Sequence, residues 1–260
     1  MAANNFSTTY KVIRVPKSSP RVVDLVNKFR TSKLLALETD PTSFLSQHAV
    51  ESKLPLEVWS SRLSRDATIL ICVATDHIST VNGSAASDDE AALIEAEWVG
   101  FAAIRGPMKN EEYYVTPDMN LQMPEDPSTE ARWHVYDLYT LPAHRGRGLA
   151  KLLVNACNAT AVEYTKALSL RSDNSLKQAR IRLFMNPKNT WLTKAYENLG
   201  FQASGKVTLE EGFRANALDE SIPEDTRATE ELEKMWHTRF GLAMEQVVSI
   251  EGFAVWSNMC

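Results

Sequence analysis

Three cysteines in 260 residues is a small number, and Cys72, Cys157 and Cys260 have no spacing that would gather a metal ion. Cys72 sits in the apolar run ATILICVAT and Cys157 in an apolar helical pattern. Both therefore read as buried thiols, and the odd count points to a reducing compartment. Also missing is any apolar run near the roughly 18 residues that a membrane span needs. The opening MAANNFS lacks the charged start and apolar core of a secretory leader, so the expected location is the cytoplasm. Basic clusters are scarce: 28 Lys and Arg against 33 Asp and Glu leave a formal charge of -5. Scattered cations of this kind make no footprint for nucleic acid. What remains is an ordinary globular composition, 44% hydrophobic and 23% charged, long enough for one sizeable core or two small ones.

Strand and helix patterns alternate along the chain. Thr9 to Val15 reads as a strand stopped by Pro16, and after Pro20 the residues Val22, Val23, Leu25, Val26 and Phe29 recur at helical spacing. Leu34 to Leu63 predicts one or two short helices punctuated by Pro41 and Pro55. Ala67 to Thr75 is a continuous apolar run, the pattern of a buried central strand. Asp76 to Glu90 reads as a loop and Glu97 to Arg105 as the next strand. Gly106 to Glu130, with four prolines, is a long irregular insertion of the kind that often carries function. Trp133 to Leu141 is strand-like and closed by Pro142. A helix follows from about Leu149 to Lys166, with Leu149, Leu152, Leu153, Ala156 and Cys157 as its apolar stripe. Leu168 to Lys177 is polar and Arg180 to Met185 alternates as a strand. Thr190 to Leu199 forms a helix ended by Gly200, and Phe201 to Leu209 another strand. The acidic stretch Asp219 to Glu233 begins a solvated helix continuing through Trp236 and Phe240, and Val247 to Trp256 is the final strand. With no internal repeat and no linker-like break, one α/β domain spanning 1–260 is the economical reading.

The segment Arg145-Gly146-Arg147-Gly148-Leu149-Ala150-Lys151 lies between a strand and a helix. Glycines let backbone amides approach a ligand closely, and the first turn of a helix offers unpaired N–H groups at a positive dipole end. A nucleotide P-loop would need Gly-Lys-Ser/Thr after a longer spacer, and a dinucleotide fingerprint a small residue where Lys151 stands. The remaining pattern, Arg/Gln-x-x-Gly-x-Gly/Ala, is met by Arg145, Gly148 and Ala150. About forty residues on comes Asn189, then Tyr196, then Gly200-Phe201. Helical spacing puts Asn189, Leu192 and Tyr196 along one face.

With both motifs the chain resembles the GNAT superfamily of N-acetyltransferases. The resemblance covers about Val99 to Phe201. It implies a mixed, mostly antiparallel central sheet flanked by helices and splayed at the strand before the glycine loop. It implies acetyl-CoA as co-substrate, with the pyrophosphate on the amides of Gly146, Arg147, Gly148, Leu149, Ala150 and Lys151. Leu138, Tyr139 and Thr140 would pair through their backbone with pantetheine, and a main-chain N–H there would polarise the acetyl carbonyl. Asn189 would bind the pantetheine or phosphate region, and Tyr196 would protonate the departing CoA thiolate.

An acceptor ammonium must lose a proton before it can attack. Relatives often carry a base nine or eleven residues before the loop arginine, here Tyr136 and His134, which share a face by strand alternation. His134 has the more suitable intrinsic pKa, near 6.5. Tyr136 departs from the glutamate many relatives carry, which puts the usual carboxylate mechanism in doubt. Asp137 points to the opposite face of an ideal strand, although a bulge would reverse that. His134, Asp137, a base from elsewhere and water all stay open. The expected activity is direct transfer of acetyl to a primary amine of a small molecule or peptide, by a monomer or homodimer without nucleic-acid, membrane or metal partners. The alternative is a catalytically silent CoA-binding regulatory module.

Overall fold

The computed structural model describes residues 8–75, 85–114, 123–171 and 176–251. In chain order the elements are β1 (Thr9–Arg14), α1 (Val22–Thr39), α2 (His48–Glu51), α3 (Leu56–Ser64), β2 (Ala67–Thr75), α4 (Ala85–Glu95), β3 (Glu97–Met108) and α5 (Asn110–Tyr113). There follow β4 (Glu130–Thr140), α6 (Leu149–Arg171), β5 (Gln178–Met185), α7 (Thr190–Glu197), β6 (Gln202–Thr208), α8 (Leu209–Ala215), α9 (Glu230–His237) and β7 (Phe240–Ser249). The strands hydrogen-bond in the order β1-β2-β3-β4-β5-β7-β6 as a seven-stranded sheet. This is the mixed α/β, mostly antiparallel architecture expected. No helix among the described residues is long and apolar enough to cross a membrane. The described residues form two compact units, 8–75, 85–103 and 137–157 in one, and 104–114, 123–136, 158–171 and 176–251 in the other.

In the first unit β1 runs antiparallel to β2, from Thr9↔Thr75 to Arg14↔Leu70. Ile69 to Val73 are buried, as the apolar run predicts. Helix α1 is longer than its apolar start suggests. It buries Leu25, Val26, Phe29, Lys33, Ala36 and Leu37, a helical stripe in which a lysine takes a core position. Phe29 meets Trp59 of α3 and Phe101 of β3 edge-on. The expected loop Asp76 to Glu90 needs correction: residues 76–84 lie outside the described residues, and helix α4 begins at Ala85. Its face is held by Ala92 and Leu93, whose carbonyl accepts from the Trp98 indole N–H at 2.8 Å.

In the second unit β4 runs parallel to β5 from Glu130↔Gln178 to Val135↔Leu183. Strand β7 lies between β5 and β6, antiparallel to both. The last described strand is therefore Phe240–Ser249, not Val247 to Trp256, of which 252–256 lie outside the described residues. The acidic stretch also differs. A single 3-10 turn at Asp219–Ser221 precedes α9, which starts at Glu230 with Thr229 as its N-cap and ends before Phe240. Helix α8 inside the expected strand-to-loop region owes its start to a capping box, Thr208 with Glu211. Phe213, Leu218 and Trp236 bury together between α8 and α9.

Candidate active site

The glycine loop belongs to the first unit. A 3-10 turn, Pro142–His144, leads from β4 into it. Gly146 and Gly148 have φ of +76° and +78°, a region that favours glycine. A methyl group built at either would meet nothing within 4 Å, so the outer side of the loop is open. The Leu152 N–H donates to the Gly148 carbonyl at 3.0 Å, which places Gly148 at the helix cap. The amides of Leu149, Ala150 and Lys151 then precede the intrahelical ladder and carry the positive end of a 23-residue helix. Geometry, openness and dipole all suit an anion such as a pyrophosphate.

The loop arginines brace it. Arg145 donates through Nε to the Thr140 carbonyl at 3.1 Å and through Nη2 to Asp40 at 2.9 Å. Arg147 Nη1 donates to the Tyr10 hydroxyl at 2.5 Å, and that hydroxyl also lies 3.1 Å from His144 Nδ1. Below the loop, α6 buries Leu149, Leu153, Val154 and Cys157 on this unit's side. The expected stripe is thus shifted: Leu152 is exposed and Val154 takes its place. Burial pushes the thiols of Cys72 and Cys157 up to about 12. Neither supplies a thiolate near neutral pH, so neither suits a covalent acetyl relay.

Leu138, Tyr139 and Thr140 close β4. The Leu141 N–H donates to the Val99 carbonyl at 2.9 Å. Gly100 is required by the approach of β3: a Cβ there would come within 2.8 Å of the Tyr139 carbonyl. Just before this stretch Asp137 has φ of +54°, a left-handed residue inside a strand. The strict alternation of β4 breaks here, and the Asp137 carboxylate turns onto Lys33 of α1, with Oδ1 2.6 Å from Nζ. The lysine side chain is 1% exposed and the aspartate 14%. Sequence reasoning missed Lys33. The signal was present, a lysine four residues after Phe29 on the stripe of a helix.

His134 and Tyr196 belong to the second unit. His134 is fully buried, with Nε2 2.8 Å from Asn216 Oδ1 and Nδ1 3.5 Å from Arg182 Nε. Burial, then the Arg182 charge, holds its pKa well below the usual histidine range despite the Asn216 contact. Both ring nitrogens are engaged and the ring is packed on Phe184 and Tyr136. His134, one of the candidate bases left open by the sequence, is thus enclosed with both ring nitrogens in contact and its neutral form favoured. Asn189 is the N-cap of α7, its Oδ1 accepting from the Leu192 N–H at 3.1 Å. Helix α7 ends in a Schellman motif: the Phe201 N–H reaches the Tyr196 carbonyl at 3.1 Å and the Gly200 N–H that of Glu197 at 3.0 Å. Gly200 takes φ of +92°, and Phe201 folds back edge-on against the Tyr196 ring, centroids 5.7 Å apart. The Tyr-Gly-Phe spacing is therefore a cap that seats the tyrosine.

Residues 88–203 match the family model described as the Acetyltransferase (GNAT) domain, a span that takes in the glycine loop and all of α7. Among solved structures the chain is similar to an acetyltransferase of the GNAT family from Streptococcus pneumoniae, 13% identical, TM-score 0.46, covering 92% of this chain and 99% of that one. It is similar also to Arabidopsis thaliana NAA60 in complex with acetyl-CoA, 12% identical, TM-score 0.46, covering 94% of this chain and 100% of that one. No curated protein matches the chain in sequence.

Proposed function

We propose that the chain moves the acetyl group of acetyl-CoA directly onto a primary amine of a small molecule or peptide. The observation that carries this reading is the open loop at Gly146 and Gly148 on the N-terminus of α6, within a matched acetyltransferase domain. Acetyl-CoA supplies the activated thioester. The amides from Gly146 to Lys151 hold its pyrophosphate, and Arg145 and Arg147 keep the loop in shape through Asp40 and Tyr10. Backbone groups of Leu138, Tyr139 and Thr140 align the pantetheine, and Asn189 serves the same arm through its amide nitrogen.

The base role goes to Asp137, because its carboxylate is partly open whereas His134 is sealed. The acceptor nitrogen attacks the thioester carbon, its proton passes to Asp137, the C–S bond breaks, and the sulfur takes a proton from Tyr196. The role of Tyr196 rests on the family resemblance and on its fixed seat against Phe201. A panel of amines (free α-amine peptide, lysine peptide, polyamine, amino sugar, aminoglycoside) incubated with acetyl-CoA tests the reading. CoA release with an acetylated product of matching mass is expected for at least one. Tight acetyl-CoA binding with release for none would favour the silent CoA-binding module.

A further inference from the structure

We propose that Lys33 is a positioning residue for acetyl transfer, its ammonium holding the Asp137 carboxylate where it takes the acceptor's proton. This rests on the base role given to Asp137 above. Taking two charges out of water is expensive and a buried ion pair seldom stabilises a fold on balance. A non-glycine residue at φ of +54° adds backbone strain at the same aspartate. Both costs fall on one residue, three positions before Thr140 and just ahead of the glycine loop.

The pair is also unequal. Lys33 is sealed, its Nζ 3.8 Å from the ring centre of Phe44 and 5.9 Å from that of Phe101. Those rings pack in turn on Tyr139, at 5.3 and 5.7 Å, two residues beyond Asp137. Asp137 keeps its 14% opening. A closed end that anchors and an open end that can meet a substrate is the arrangement a tethered base needs. The groups facing Lys33 are Asp137, Glu51 and Arg62. Burial lowers the lysine's pKa, Asp137 and Glu51 raise it, and Arg62 lowers it again. Glu51 is itself bound to Arg62 at 2.6 Å, which leaves Asp137 as the carboxylate in direct contact with Lys33. The same helix reaches the loop a second time, since Asp40, which caps α1, holds Arg145.

The test is a double-mutant cycle of Lys33→Met and Asp137→Asn, with acetyl-CoA and the panel amine that the wild type turns over fastest. Lys33→Met is expected to lower kcat about tenfold or more, with the calorimetric Kd for acetyl-CoA kept within about twofold. Lys33→Arg should recover most of the rate, and the double variant should be no slower than Asp137→Asn alone. Where the Met variant does not fold, Lys33→Gln makes the same comparison. An unchanged kcat in a folded Lys33 variant, or an equal loss in both Asp137 backgrounds, overturns the proposal. A wild type that binds acetyl-CoA and acetylates no amine rejects the proposed function instead, and the role of Lys33 with it.

Discussion

His134 shows how surroundings change a side chain that is suitable by type. Its folded pKa is depressed, chiefly by burial, so the unfolded chain binds the proton more readily below about pH 6.5. Stability supplied by neutral His134 is therefore complete above about pH 6.5 and is lost as pH falls from there towards the folded value. Denaturant melts of the wild type at pH 7.5 and 5.5 should show a loss that His134→Gln reduces, by up to about 1.4 kcal/mol per pH unit. An identical pH dependence in the two proteins would contradict the neutral assignment. Lys33 is the converse case, an unpromising residue type made important by position. Its partner is distant in sequence, and strand alternation sends Asp137 the other way unless one knows that φ at Asp137 is positive. Neither fact is written in local spacing.

Among the elements, those with a local signal were readable. Strand β2 has the bounds the apolar run gave, β5 and α7 differ by a few residues at most, and Gly200 stops α7 as expected. The motif of α7 was legible because a Schellman cap depends on residues a few positions apart. Replacing Gly200 with Ala forces a side chain onto φ of +92° and should cost about 1–2 kcal/mol. Chemical denaturation would check it, and an unaltered midpoint would mean the cap is not holding the helix end. Elements with narrow or irregular burial were misread. Among the described side chains of helix α4, Ala92 and Leu93 lie against the core, too thin a stripe to show a period. In β7 only Ala243 and Met244 are buried, neighbours rather than alternating residues, so its strand character was assigned several residues too late. Lys33 interrupted the apolar pattern of α1 and hid its second half.

On the scale of the whole molecule, charge and composition had excluded classes of partner without selecting a substrate, and the structure adds a reason for the donor rather than for the acceptor. The loop was legible because it is contiguous: two glycines, a helix start and the amides between them. The Lys33–Asp137 pair joins residues far apart in sequence and so left no spacing to read. The central claim is that the open loop at Gly146 and Gly148 seats the donor's pyrophosphate. Calorimetric titration of acetyl-CoA into the wild type and into Gly148→Glu tests it most directly, with the thermal unfolding of each recorded beside it. The account predicts saturable binding by the wild type and none by a variant that still unfolds cooperatively, because the added carboxylate competes for the same amides. Equal affinity in the two folded proteins would contradict it.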